Sequence, residues 1–554
     1  MAAITRYLWA HTNWPLLAWV SFFLVSGLVF KKASGRVIGA CERLWDRAAV
    51  RPAHVVLLPA AASLLLGLLS LRIAGLPLPR VHDEFSYLLA ADTFASGRVA
   101  NPTHPMWIYL ETMHVIHTPS YVSKYPPAQG LVLAAGQRLF GHPWCGVLLS
   151  NVAMCAAVAW MLLGWLPRRW ALVGGMLAAC FSAFSYWSAS YWGGAVAATG
   201  GALLVGCLPR LGSSPQVRHA LLGAFGVAIL ANSRPYEGLV LSLSCVAVAA
   251  LQMARRRGPS PSTLLRKVAL PAACVLVPVA AAMAFYFWRT TGSPARMPYS
   301  EHGKQYEPRR SFLWQSDGPE PMYRHAEMRN LFRWVHREWM TSWQLLRAKI
   351  QPSLALYFAG GSLIGVLAFS PWVVRDRRFR PLLGLLLASL AGYALEEWVH
   401  PHYVAPVTGV LLALQVQYLR HLRTVRALGR RVGQLAFWSL LFLTLSAPLE
   451  RAAQRFLHTP APQDWATDRQ RLQSQLSRTG GQHLIIVRYS RDHNPHSEWV
   501  YNRADIDASP VVWAREMEDN AALLGYFRSR SVWLLEADRF PRWLRPYTPK
   551  GSAP

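Results

Sequence analysis

Acidic residues are scarce in this 554-residue chain: 28 Asp and Glu stand against 57 Lys and Arg, a formal net charge of +29. Charge of either sign is sparse at 15%, where soluble proteins carry about 25%. Cysteine is scarce too, and the seven fall at 41, 145, 155, 180, 207, 245 and 274, none of them in 449–554. That excludes a disulfide framework in the C-terminal quarter. There is no GxxxxGK[ST] loop, no GxGxxG turn and no metal-finger spacing, so the sequence gives no support for nucleotide-driven transport.

Apolar runs are abundant. Hydrophobic residues make up 53% of the chain, and runs of about 20, the length that crosses a hydrocarbon core of roughly 30 Å, recur along it. Spans are predicted near 13–30, 54–75, 143–165, 170–187, 191–208, 219–233, 238–254, 268–288, 353–372, 381–397, 403–419 and 433–448. The pair 219–233 and 238–254 is joined only by SRPYE, and fusing them into one helix would move every later segment across the membrane.

Basic residues near membrane ends mark cytoplasmic loops. With twelve spans, segments 31–53, 166–169, 209–218, 255–267, 373–380 and 420–432 share one side and hold 24 of the 57 basic residues, with only Glu42, Asp46 and Asp376 as acids. The opposite side receives the N-terminus and three longer segments, 76–142, 289–352 and 449–554. The positive balance is thus a topology signal, and no nucleic-acid partner is expected. The chain divides into an extra span with a basic loop (1–53), a membrane body (54–448) and a small C-terminal α/β soluble domain (449–554). In the last, LIIVRY and SVWLLEA read as strands around a helical DNAALLGYFRS, and RDHNPHSEWVYN reads as a solvated loop.

The first outer segment carries the most chemistry. Asp83 and Glu84 open the stretch EFSYLLAADTFASG, which has helical spacing, an apolar face suited to a membrane surface, and Gly97 as its stop. Two acids in a first turn can simply complement the helix dipole. Placed outside the cytoplasm at a membrane surface, they can also handle protons. Lys124 and Tyr125 precede a second helix, PPAQGLVLAAGQRLFG. Lys124 is either a lipid-phosphate contact or a side chain snorkelling to headgroups. Arg234, in LANSRPYEGL, sits at membrane depth beside Glu237 and either holds phosphate or pairs with that acid. Glu396, Glu397, His400, His402 and Tyr403 gather at another outer helix end, as cavity residues or as interfacial anchors. Tyr186, Trp187, Tyr191 and Trp192 read as an interfacial belt.

An inward-to-outward span, then Asp-Glu, then an aromatic-rich interfacial helix, then KYPP and a second helix resembles the GT-C superfamily of membrane glycosyltransferases. The nearest branch is family 39, the protein O-mannosyltransferases and bacterial lipid A aminoarabinose transferases. The resemblance covers residues 54–420, and HPHYVAPVTG at 400–409 is similar to the start of a late helix there, with His402 where Arg is usual. It implies a polytopic α-helical fold of about twelve spans in a bacterial inner membrane. It also implies a polyprenyl-phosphate sugar donor and transfer to a glycan, lipid or protein acceptor on the extracytoplasmic side. Asp83 would be the base, Glu84 an acceptor-orienting or metal-binding group, Lys124, Tyr125 and Arg234 the donor-phosphate contacts, and Glu237, Glu397, His400, His402 and Tyr403 the cavity. No cofactor is assigned, and a divalent metal is left open. A transporter or flippase of lipid-linked sugars would show internal repeats and broken helices, and no clear repeat is present. A glycan polymerase or ligase is the other rival.

Overall fold

In the computed structural model the described residues are 31–184, 187–255, 259–307, 310–337, 371–398, 400–426, 432–458 and 464–548, with isolated positions at Phe22, Val25, Val29, Gln344 and Lys349. The expected spans 13–30 and 353–372 lie almost wholly outside them, as does Tyr186.

Helix α1 (Lys31–Ala48) is polar and basic and leads into α2 (Pro52–Ala74), an apolar span that stops at Gly75, whose φ of 73° a side chain would resist. Helix α3 (His82–Ala95) follows, then α4 (Pro127–Phe140), α5 (Trp144–Trp165), α6 (Arg168–Phe184), α7 (Gly194–Ser213), α8 (Val217–Ala231), α9 (Pro235–Arg255) and α10 (Leu270–Thr291). The expected spans 219–233 and 238–254 are therefore two separate helices, parted at Asn232–Arg234. Helices α11 (Pro298–Tyr306) and α12 (Ala326–Arg337) belong to the second outer segment. They precede α13 (Arg380–Leu395), α14 (Thr408–Thr424) and α15 (Val432–His458). Five described helices are long and apolar enough to cross a membrane, among them α2, α5, α7 and α9.

One large apolar cluster joins α2, α5, α6, α7 and α13–α15. Small residues let their backbones approach, as in membrane helix packing generally. At Gly201 of α7, Pro406 leaves no room for a Cβ, which seats the short 3₁₀ stretch Pro401–Val407 and its His402 and Tyr403 against the bundle. Trp187 is fully buried and Tyr191 nearly so, packed into clusters with α3, α4 and α5 and not arrayed as a belt.

The first outer segment also forms strands β1 (Asn101–Pro102), β2 (Val115–Ile116) and β3 (Ser120–Ser123), paired antiparallel in the order β1-β3-β2. At the C-terminal end, α16 (Trp465–Thr479) precedes a four-stranded sheet of β4 (His483–Arg488), β5 (Val511–Arg515), β6 (Ser531–Glu536) and β7 (Leu544–Pro546). Its order is β5-β4-β6-β7, parallel except at the β7 edge. A short helix α17 (Ala521–Tyr526) connects β5 to β6, as strand–helix–strand patterning predicts.

This sheet shares a hydrophobic cluster with the first outer segment: Leu484, Ile486 and Val512 pack with Leu89, Leu110 and Tyr121. Helix α3 is consequently buried on nearly all sides, with Phe85 stacked on Tyr501 at 4.1 Å, and does not lie open along a membrane surface. Arg515 of β5, 1% exposed, donates to Glu498 (2.5 Å), to the Glu111 carbonyl (2.8 Å) and to Glu327 of α12 (3.1 Å). One buried guanidinium thereby holds the sheet and both outer segments together, and its charge is compensated by two carboxylates. The loop 491–502 is solvated only in part: Arg491, Asp492 and Asn494 are exposed, but His493 is buried and bonded to Asp538 at 2.7 Å, and His496 stacks on His82.

Candidate active site

Asp83 lies in the first turn of α3, where unsatisfied backbone N–H groups favour negative charge. Its carboxylate, 24% exposed, accepts a short hydrogen bond from the Tyr125 hydroxyl and lies 3.6 Å from Nδ1 of His114. Tyr125 is 3.1 Å from the same nitrogen. Strand β3 delivers Lys124 and Tyr125. His114, just before β2, has φ = 61°, a left-handed conformation rare outside glycine. Ser86 donates to the His114 carbonyl at 2.6 Å and Lys124 N at 3.2 Å, and these bonds hold it there.

The network continues into the second outer segment. His114 Nε2 lies 3.2 Å from Glu307, and Lys124 Nζ donates to the other Glu307 oxygen at 3.0 Å. His302 Nδ1 is 3.7 Å from that oxygen; the imidazole is 1% exposed, and neither ring nitrogen has a hydrogen-bond partner among the described residues. His114, His302, Glu307 and Tyr306 line one narrow cavity with Met113 and Trp398.

Electrostatics follow from this geometry. Burial pushes the Asp83 carboxyl up, but His114, His400 and Lys124 outweigh it and hold Asp83 well below the usual carboxylate range. Burial and Lys124 push His114 down, and Asp83 and Glu307 together raise it above its ordinary value. Burial likewise raises Glu307, but Lys124, His302 and His114 hold it well below its ordinary value.

Glu84 does not join Asp83. Its Oε1 accepts from Arg80 N and its Oε2 from Tyr191 N, both at 3.0 Å, so it ties the loop before α3 to the segment before α7. Burial raises its carboxyl to about 7. Successive residues of a helix point roughly 100° apart, so the two acids serve different surroundings.

The remaining predicted residues form a second group. Arg234, 7% exposed, lies 4.4 Å over the Tyr403 ring and 3.9 Å from Glu237, too far for a hydrogen bond. Oε1 of Glu237 is buried and has no hydrogen-bond partner among the described residues. His402 packs on Trp192 at 4.6 Å and stacks with His400 at 5.3 Å. Glu397 is turned elsewhere, accepting from Arg310 at 3.1 Å. Among the described residues no three His, Cys, Asp or Glu side chains converge as a metal site.

The sequence reading missed His114, His302 and Glu307. Glu307 directly follows RMPYSEHGKQY in the second outer segment, but nothing in its spacing marks it. His114 lies within ETMHVIHTPSYVSKYPP, where a histidine beside a lysine-bearing strand was the available signal.

No protein-family model matches the sequence, and no curated protein does. Solved structures do match. ArnT from Cupriavidus metallidurans aligns with 14% identity over 87% of this chain and 92% of its own, with a TM-score of 0.50 in the apo state and 0.53 bound to undecaprenyl phosphate. The apo oligosaccharyltransferase of Archaeoglobus fulgidus aligns at 13% identity over 81% of this chain and 63% of its own, with a TM-score of 0.42. The fold is therefore similar to that of ArnT over most of both chains, and five described helices are long and apolar enough to cross a membrane.

Proposed function

We propose that this protein is an integral membrane glycosyltransferase that moves a sugar from a polyprenyl-phosphate donor to an acceptor on the extracytoplasmic side. The observation that carries the reading is the placement of Asp83: ionised, partly exposed and held by Tyr125 and His114, in a fold similar to that of ArnT solved with undecaprenyl phosphate.

Asp83 is the group that accepts the acceptor's proton as its oxygen or nitrogen attacks the anomeric carbon. His114 and Tyr125 fix the carboxylate's direction. Arg234 is the phosphate contact: it is a buried cation on a tyrosine face whose ion-pair partner Glu237 stands 3.9 Å away without a hydrogen bond, whereas Lys124 is already bonded to Glu307. An arginine there can stabilise the charge that builds on the departing lipid phosphate. Lys124 and Glu307 are positioning residues that set the charge of His114. Glu237, His400, His402 and Tyr403 line the donor side. Residues 449–554 are proposed to act as an outer lid on 76–142, in line with the Tyr501 hydroxyl 2.8 Å from His82.

The test is turnover of the purified protein with a polyprenyl-phosphate sugar, together with lipid analysis of a deletion strain. Accumulation of a polyprenyl-phosphate sugar is the expected result. Accumulation of a pyrophosphate-linked oligosaccharide would point to a ligase or flippase instead.

A further inference from the structure

A second cavity, about 290 Å³, adjoins the first and shares Tyr306, Tyr323 and Met328 with it. That volume matches the lower end of small-molecule sites, roughly 300 Å³. Its other walls include Trp107, Glu111, Gln305 and Arg324. Nothing in the proposed mechanism uses them.

Their chemistry is specific. Glu111 is 2% exposed, although it is a carboxylate. The Tyr306 hydroxyl donates to it at 2.7 Å, and Arg324 and His325 each lie 3.5 Å away. The Arg324 guanidinium also sits 4.7 Å from the Trp107 ring and is half exposed, so it closes the cavity from the solvent side. The wall thus combines an indole, a primary amide, a phenol and an ion pair whose two charges offset each other.

We infer that this cavity is a saccharide subsite for the acceptor, and that it takes a neutral, hydroxyl-rich sugar. This rests on the glycosyltransferase reading. A sugar has an apolar C–H face for an aromatic wall and hydroxyls that both donate and accept. Arg324 supplies donors, and Glu111 and the Gln305 amide oxygen supply acceptors, the two Gln305 N–H groups being bonded to the Thr118 carbonyl and to Glu301. An anionic ligand would find its arginine already paired with Glu111. The position also fits: Tyr306 separates the cavity from the one that His114, His302 and Glu307 line, so a sugar held here would direct its end toward the Asp83 network.

The test is binding of full-length, detergent-purified protein to an array of neutral, sialylated and phosphorylated oligosaccharides. The wild type should bind a subset of the neutral ones. Trp107→Ala and Gln305→Leu should each weaken that binding about tenfold or more, and Trp107→Phe, which keeps an aromatic wall, should retain most of it. Monodispersity and melting temperature report whether each variant is folded. Binding to no saccharide, binding to the charged ones only, or unchanged binding by folded Trp107→Ala would each overturn the inference. Binding is read without turnover, so Asp83→Asn, inactive in transfer, should bind as the wild type does. That separates failure of the subsite from failure of the transferase reading.

Discussion

His114 and Glu307 meet at 3.2 Å, although they come from outer segments 193 residues apart. Through this contact the second outer segment reaches the Asp83 carboxylate, since the other face of the same imidazole lies 3.6 Å from it.

Asp83→Asn keeps the shape of the side chain, and α3 starts from Val81 with no side-chain capping bond to lose. Transfer should fall by roughly 10²–10⁴-fold, the usual worth of general base catalysis, with expression and melting temperature close to wild type. Full turnover in this variant would remove Asp83 from the mechanism.

The pH profile should carry the same assignment. A carboxyl held well below its ordinary value stays ionised as the pH falls, so the acidic limb of kcat/KM should lie below the ordinary aspartate range of about 4. An acidic limb near neutrality would instead point to a raised carboxyl or an imidazole as the base.

Glu307→Gln removes the charge that both Lys124 and His114 meet. His114 then loses one of the two acids that raise it and should deprotonate at lower pH. Turnover should drop about tenfold, the worth of roughly 1.4 kcal/mol, within the range for one charge-assisted hydrogen bond. The basic limb of the profile should move toward lower pH. An unchanged basic limb would mean that His114 is set by Asp83 alone.

Glu84 makes a prediction about stability. Burial lifts its folded carboxyl from the ordinary 4.5 to about 7. The folded state therefore binds a proton more tightly between these values, and the stability so gained is lost as pH rises through 7. The melting temperature of the wild type should fall from pH 5 to pH 7.5 more steeply than that of Glu84→Gln. Parallel curves for the two proteins would contradict the raised carboxyl.

Sidedness can be read with a reporter that works only outside the cytoplasm. Fusions after Pro448 or at Pro554 should be active and fusions after Arg257 or Arg378 silent. A silent fusion at Pro554 would refute the twelve-span topology while leaving Asp83 outside, because its side depends only on the earlier spans and the basic loop 31–53.

The sequence by itself determined the membrane body, because a backbone in hydrocarbon must satisfy its own hydrogen bonds and apolar runs of fixed length are the outcome. Ten of the twelve expected spans coincide with described helices, give or take a few residues, and the break at Asn232–Arg234 lies where SRPYE predicts it. Asp83 was legible too, since an acid beside a span is costly enough to draw notice. What the sequence could not separate was Asp83 from Glu84: one helical step sends the first toward His114 and the second toward two backbone amides. Nor could it bring His114, His302 and Glu307 together, because ionic and imidazole contacts between distant segments leave no periodicity in either. The burial of α3 beneath the C-terminal sheet was decided the same way, by Phe85 meeting Tyr501 and by Arg515 reaching Glu111 and Glu327. Hydrophobic length is a local property of the chain, whereas the pairing of charges across it exists only once the chain has folded.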